Sequence, residues 1–409
     1  MKTIKFYTLG CKVNQYDTQS IREKFLSSGY RESERNSKAD TYLINTCTVT
    51  HRADSESFNL IRRAKKENPR ARIIVTGCLT ELDSASIKKI GVSSIIKNRD
   101  KEKISSINGI SDFKAHARAF LKIQDGCDNH CSYCKVPLVR GRSRSRPLSE
   151  IIQEARRLVD KGFKEIVLTG ICLGLYGKDL EPKSSLVKAI DALEKLDGLY
   201  RIRLSSIEAG DVSNALIKKM KVSKKLCRHL HIPIQSGDDS ILKKMRRKYT
   251  SRGYLSLIRR IRKQIPGVAI TTDVLVGFPQ EEEFNFRNTL DLVKKISPLK
   301  VHIFPYSKRE GTAVVRNLKN EVAPEAVKER MVLLKSLADR CSLRYKNEFL
   351  GRKLDVLIEG RSKGDMHFYE GYTDNYIKVL IRSNRDLKNQ IISVRLKKIQ
   401  DSSIFAISC

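Results

Sequence analysis

The chain has 409 residues, 40% of them hydrophobic, enough to bury large cores and more than one domain usually holds. Lysine and arginine number 80 against 46 aspartates and glutamates, a formal charge of +34 that favours a polyanionic partner such as a nucleic acid. No run approaches the ~20 apolar residues that span a bilayer, the N-terminus reads as a strand and not as a signal peptide, and ten cysteines are too few for a disulfide scaffold. A soluble, cytoplasmic protein is expected, with no membrane association and with thiols available for metal or chemistry.

The positive excess is spread along the chain. Residues 1–112 carry 21 basic and 13 acidic side chains, 113–340 carry 46 and 25, and 341–409 carry 13 and 8. A distributed basic surface suits a large folded nucleic acid better than a single tail would. These three segments are also the expected domains.

In the first segment three short apolar runs each end in a cysteine: Ile4 to Cys11, Tyr42 to Cys47 and Arg72 to Cys78. Helical patterns follow them, the first from about Asp17 to Ser28, the second with Phe58, Ile61 and Ala64 on one face and Arg62 and Arg63 beside it. The pattern is βαβ with a parallel sheet. The carboxyl ends of neighbouring parallel strands share one crevice, so Cys11, Cys47 and Cys78 can meet there and form a three-thiolate site.

The second segment opens with the strand-like run Ala119 to Gln124 and then Cys127-Asp-Asn-His-Cys131-Ser-Tyr-Cys134, three cysteines at C-x3-C-x2-C spacing. Three thiolates from one loop can hold three irons of a cubane and leave the fourth open, whereas a structural zinc site closes with four protein ligands. A zinc knuckle with a distant fourth ligand is the competing reading. Next comes Arg140-Gly-Arg142-Ser-Arg144-Ser-Arg146, where Arg140 and Arg142 are candidates to clamp phosphate or carboxylate at the cluster mouth, against the alternative of a solvated loop.

Five further strand-like runs begin at Glu165, Arg201, His229, Ala269 and Lys300, separated by amphipathic helices such as Leu148 to Lys161. Six strand–helix units in about 220 residues predict a partial (βα)6 barrel of TIM-like type, with functional residues at the carboxyl ends of its strands. The polar residues there include Gly170, Ser205, Glu208, Gln235 and Asp273, candidates for binding an amino-acid head group and a ribose. His229 and His231 read as packed or hydrogen-bonded residues. Beyond Arg344, alternating runs at Lys353, Tyr376 and Ile391 predict a small β-barrel. For Tyr369, Tyr372 and Tyr376, contact with nucleic acid and packing in the barrel core are both open.

These motifs together resemble the radical S-adenosylmethionine tRNA methylthiotransferases, end to end. The C-x3-C-x2-C loop with Tyr133 before its last cysteine is similar to that family's cluster motif, the three upstream cysteines to its auxiliary-cluster domain, and residues 341–409 to its TRAM domain. Thr8-Leu-Gly-Cys11-Lys-Val-Asn-Gln15, Asn45-Thr-Cys-Thr-Val-Thr50, Leu168-Thr-Gly170 with Tyr176-Gly177, and Glu370-Gly-Tyr-Thr-Asp-Asn-Tyr-Ile377 resemble the branch that acts on threonylcarbamoyladenosine. The chain departs from the pattern at Gln280, after Gly277-Phe-Pro279, and at Leu79-Thr-Glu81, after Cys78.

The resemblance implies two [4Fe–4S] clusters and S-adenosylmethionine as cofactors. The cluster on Cys127, Cys131 and Cys134 would cleave S-adenosylmethionine to a deoxyadenosyl radical, with Tyr133, Gly170, Ser205, Glu208, Gln235 and Asp273 around the cofactor. The cluster on Cys11, Cys47 and Cys78 would deliver methylthio to C2 of the modified adenosine at position 37 of tRNA. It also implies a flavodoxin- or ferredoxin-type electron donor and a sulfur source. The alternatives are methylthiolation of isopentenyladenosine in tRNA or of a ribosomal protein, and a non-catalytic zinc and RNA-binding protein. Cys172, Cys227, Cys341 and Cys409 read as structural or incidental.

Overall fold

The three apolar runs that end in cysteine form the inner strands of one parallel sheet. In the computed structural model, which describes every residue except Arg35, Ala115, Leu318, Lys319, Asp401 and Ser402, the chain begins with β1 (Thr3–Thr8), helix α1 (Lys12–Ser27) and β2 (Arg31–Glu32). Next come β3 (Thr41–Thr46), α2 (His51–Glu67), β4 (Arg72–Gly77) and β5 (Ser94–Ile95). The strand order is β2-β1-β3-β4-β5. Thr8 pairs with Asn45, and Thr46 with Gly77, so the three cysteine-bearing strand ends lie side by side. Helix α1 starts at Lys12, earlier than the apolar spacing from Asp17 predicts. Cys11 is extended and sits at the N-cap of the helix, three residues past the end of β1, while polar Asn14 and Asp17 are buried on the helix, which the hydrophobic pattern cannot register.

The middle of the chain carries β6 (Arg118–Lys122), a two-stranded ribbon of β7 (Gln124–Asp125) and β8 (Arg144–Ser145), then β9 (Glu165–Thr169) and β10 (Arg201–Leu204). It continues with β11 (His229–His231), β12 (Ala269–Val276) and β13 (Lys300–Pro305). The six barrel strands fall into two parallel sheets, β10-β9-β6 and β11-β12-β13. Among the described residues, single bridges at Ile202–Leu226 and Ser206–His231 join them. Strand β11 is three residues long because Pro233 follows it and has no N–H for the ladder. Side chains alternate along each strand: Leu230, Ile270 and Val301 pack outward against the helices, while His229, His231, Asp273 and His302 turn to the lumen.

The C-terminal unit is a closed five-stranded barrel of β14 (Lys353–Arg361), β15 (Phe368–Thr373), β16 (Lys378–Arg382), β17 (Ile391–Gln400) and β18 (Ser403–Ser408), in the order β14-β15-β16-β18-β17. The division expected between 340 and 341 falls inside the helix Pro324–Asn347. Cys341 belongs to the core of the six-stranded unit, whereas Tyr345 and Phe349 belong to the core of the small barrel. One continuous helix serves both, and the change of unit comes after it.

The small barrel closes the lower mouth of the larger one, at the amino ends of its strands. Arg201 and Arg203 donate to the carbonyls of Tyr372 (3.0 Å), Thr373 (3.1 Å) and Asp374 (2.9 Å). Tyr376 stacks on His229 with ring centres 4.5 Å apart, and Tyr372 stacks on Tyr376 at 5.0 Å. Tyr369 is buried in the small barrel's core. All three tyrosines are therefore committed to packing, and the turn Thr373 to Ile377 is a plug. Among the described residues, no helix is long and apolar enough to cross a membrane.

Candidate active site

The loop triplet rises from the end of β7. Gly126 precedes Cys127 with φ +75°, and a Cβ there would lie 1.9 Å from the Arg142 carbonyl oxygen, so only glycine allows the close turn. The loop is pinned from elsewhere: Ser132 donates through its amide to Met245 O (3.1 Å) and through its hydroxyl to Lys244 O (2.8 Å), and Val314 N donates to Ser132 O (2.9 Å). Backbone amides of Asn129 and Val136 reach the sulfurs of Cys127 and Cys134 at 3.4 Å each. Such N–H···S contacts favour thiolate over thiol. Tyr133 is held in an apolar cluster against Phe278.

Two groups at this loop carry no local sequence signal. Arg247 donates to Cys131 Sγ at 3.3 Å and pairs with Glu208 at 2.5 Å, bringing a buried cation to a sulfur of the loop triplet. Burial pushes the Cys131 thiol up and Arg247 opposes it. Cys172, read from the sequence as structural, is buried with its thiol hydrogen-bonded to Cys127 and 3.5 Å from Asp211 Oδ2. That contact draws Cys127 down to about 7 against the opposing effect of burial. Both residues lie far from the loop in sequence and reach it only through the barrel.

The strand-end triplet is the second set. Cys47 and Cys78 are buried and Cys11 is exposed. A Cβ on Gly10 (φ +96°) would stand 2.8 Å from Cys47 Sγ, which shows how closely the first strand end approaches the second. Burial pushes Cys47 up to about 11, with Cys78 and Cys11 adding to it. It raises Cys78 as well, against Arg140 and Lys101.

Arg140 lies between the two sets. Its Nη1 binds both oxygens of Asp125 (2.7 and 2.8 Å), two residues before Cys127, while Nη2 donates to Asn14 Oδ1 (2.5 Å) and lies 3.5 Å from Asp17. Its guanidinium also bonds the Cys78 thiol. The expected role at the cluster mouth, clamping substrate phosphate, is therefore corrected: Arg140 is buried and saturated by acidic partners of both domains. Arg142 is exposed. A second clasp is Arg309, whose Nη2 bonds Thr48 O (2.9 Å) and Asp54 Oδ2 (2.6 Å) just after Cys47.

The remaining candidates stand at or near the carboxyl ends of β9 to β12. Ser205 Oγ is buried without a hydrogen-bond partner, a polar atom suited to a ligand hydroxyl. Gly170 approaches Gln124 so closely that a Cβ would lie 2.8 Å from its Oε1. Gln235 has φ +67°, a strained geometry for a non-glycine residue, and its backbone bridges to β12 through Asp273 O and Leu275 N. Burial raises the Glu208 carboxyl and Arg247 opposes this. Asp273 pairs with His231 Nε2 at 3.2 Å. His302 stands beside them and is held down to about 4 by burial, then by Lys300.

The thiol sets fit iron–sulfur clusters better than zinc. Among the described residues the one group of three or more His, Cys, Asp or Glu ligand atoms all within 4.8 Å of one another is His231, Asp273 and His302, so neither cysteine triplet is drawn that tight. Four sulfurs at ~2.3 Å from a single zinc lie only about 3.8 Å apart. A cubane carries each thiolate on a different iron and spreads them wider.

Residues 3–98 match the family described as Uncharacterized protein family UPF0004, and residues 121–293 match the Radical SAM superfamily. The chain is 39% identical to threonylcarbamoyladenosine tRNA methylthiotransferase MtaB of Bacillus subtilis (strain 168), over 97% of this chain and 94% of that protein. It is 37% identical to the Thermotoga maritima protein of the same name, over 100% and 97%, and 35% identical to tRNA-2-methylthio-N(6)-dimethylallyladenosine synthase of Clostridium tetani, over 97% and 94%. Among solved structures, the radical S-adenosylmethionine methyltransferase TsrM from Kitasatospora setae, with cobalamin and a [4Fe-4S] cluster bound, is similar at a TM-score of 0.56 and 12% identity, covering 76% of each chain. That likeness concerns fold alone. Two domain matches and identity along the whole length lead to one conclusion: the chain belongs to the radical S-adenosylmethionine tRNA methylthiotransferases, enzymes that work with S-adenosylmethionine and [4Fe–4S] clusters.

Proposed function

We propose that the chain transfers a methylthio group to C2 of N6-threonylcarbamoyladenosine at position 37 of tRNA, beside the anticodon. The observation that carries this reading is the pairing of two separate free-thiol triplets through Arg140, which touches Cys78 and the approach to Cys127 at once. The names of the relatives at 39% and 37% identity favour the threonylcarbamoyl nucleoside as substrate.

In this reading Cys127, Cys131 and Cys134 would hold the cluster that meets S-adenosylmethionine, and Cys11, Cys47 and Cys78 the auxiliary cluster. Bound there, the cofactors supply the radical and the methylthio group that an aromatic C–H bond, which offers no useful acid, base or leaving group, requires. The chain does the rest. Tyr133 and Phe278 keep solvent from the loop, and Arg247 balances charge at Cys131. Gly170, Ser205, Glu208, Gln235 and Asp273 line the cofactor's place in the barrel. Arg140 keeps the two triplets in register, and exposed Arg142, with the wider basic surface, meets tRNA. A flavodoxin- or ferredoxin-type donor and a sulfur source complete the cycle, in the cytoplasm.

Mass spectrometry of nucleosides from tRNA of a deletion strain tests reaction and substrate together. Threonylcarbamoyladenosine should accumulate and its 2-methylthio form disappear; persistence of the methylthio form in the deletion strain would sink the proposal. Anaerobic reconstitution should load about eight irons per chain, two cubanes, and no stoichiometric zinc.

A further inference from the structure

Beside the cofactor's place, which Asp273 also lines in the reading above, the lumen of the six-stranded barrel holds further polar groups. His231, Asp273 and His302, from three adjacent strands, bring their ligand atoms within 4.8 Å of one another, with the two imidazole centres 5.7 Å apart. Beneath them His229 and Tyr376 form the floor. Lys12, the residue after Cys11, is exposed, its ammonium has no hydrogen bond or ion pair among the described residues, and its charge acts on His229, His302 and Tyr376, three groups of this lumen. Lys300 lies two residues before His302 on the same face of β13 and acts on it too.

Two imidazoles and a carboxylate are also a cation-binding set, but a divalent ion here would face the ammonium groups of Lys12 and Lys300. Asp273 is already engaged by His231 at 3.2 Å. What these groups offer a ligand is the positive charge of Lys12, which is exposed, and a hydrogen-bond donor on the neutral ring of His302. The complementary ligand is an anion with hydrogen-bonding capacity.

We propose that Lys12 and His302 form the subsite that takes the carboxylate of the amino-acid substituent on N6 of the substrate adenosine. This rests on the reading of the substrate given above. Lys12 neutralises the carboxylate, His302 donates to it, and the His231–Asp273 pair fixes the wall against which the substituent lies. Because Lys12 follows Cys11 directly, the same contact sets the base beside the strand-end triplet. An apolar dimethylallyl substituent offers Lys12 no charge and His302 no acceptor while displacing water from both, so the subsite also disfavours it.

Steady-state methylthiolation by the anaerobically reconstituted full-length enzyme tests this, with tRNA carrying either threonylcarbamoyladenosine or dimethylallyladenosine. Lys12→Met should raise KM for the threonylcarbamoyl substrate at least about tenfold while kcat changes much less, and Lys12→Arg should recover most of the loss. His302→Leu, remote from the cysteines, should act in the same direction and narrow the preference between the two tRNAs. Iron per chain is the control that Cys11 is undisturbed; if Lys12→Met loses iron, His302→Leu decides alone. An unchanged KM in iron-replete variants overturns the subsite. A wild-type enzyme that leaves threonylcarbamoyladenosine untouched overturns the underlying substrate reading instead, so the two failures are distinct.

Discussion

The two cysteine triplets reach similar ends by opposite routes. Cys127, Cys131 and Cys134 lie within eight residues on one loop, and their relative positions are set by local turns and by backbone amides on their sulfurs. Cys11, Cys47 and Cys78 span 68 residues and meet only because β1, β3 and β4 are adjacent and parallel. The loop set depends on its anchors at Lys244, Met245 and Val314, the strand-end set on sheet register and on Arg140. A local motif tolerates change in its surroundings better than a site assembled from three strand ends.

The largest contrast should come from the cysteines themselves. Cys131→Ala and Cys47→Ala should each abolish methylthiolation and remove roughly half the iron, but only Cys131→Ala should also abolish formation of deoxyadenosine from S-adenosylmethionine. Equal loss of deoxyadenosine in both would erase the division of labour. Next in size is Arg140→Met, which removes the guanidinium shared by Asp17 and Asp125, leaves them to Lys101 and Lys122, and should cost about 3 kcal/mol, read by urea unfolding.

Acid should act through the same network. Burial alone would raise Asp17 and Glu165, but Lys101, Lys122 and Arg140 around the first, and Arg203 and Arg118 around the second, hold both below the usual carboxylate range. Their folded values lie below the unfolded ones, so the stability they contribute is present above about pH 4 and lost as pH falls through the folded values. Tm measured from pH 6 to pH 2 should decline mainly below pH 4, and less steeply in Arg140→Met.

Gly10→Ala should cost about 1–3 kcal/mol in strain and lower iron occupancy of the strand-end set alone, seen by spectroscopy of the two clusters. Smallest is Arg247→Ala. Removal of a cation and a hydrogen bond from Cys131 should shift the loop cluster's reduction potential to more negative values and leave the strand-end cluster where it was, by redox titration.

Each triplet was legible in the sequence to a different depth. The loop spacing is itself a chemical statement, and the three strand ends followed from repeated βαβ grammar. The role of Arg140 was misread because alternation along a loop cannot reveal Asp17 or Asp125 waiting behind it. The tyrosines of residues 369–376 were ambiguous for a related reason: aromatic composition does not distinguish a base platform from a plug, and docking of the small barrel on Arg201, Arg203 and His229 decides it.

From the sequence alone come the three-part organisation, the six-stranded barrel, the two thiol sets and the basic surface, because periodicity and spacing are properties of consecutive residues. Only the tertiary structure sets Cys172 against Cys127, Arg247 against Cys131, Arg140 between the triplets and Lys12 toward the lumen. The hydrogen bonds among them join residues as many as 126 positions apart, as Arg140 is from Asn14. Their strength depends on burial, which takes charges out of water where a pair of groups would otherwise be screened, and no local pattern encodes which distant partner will be there.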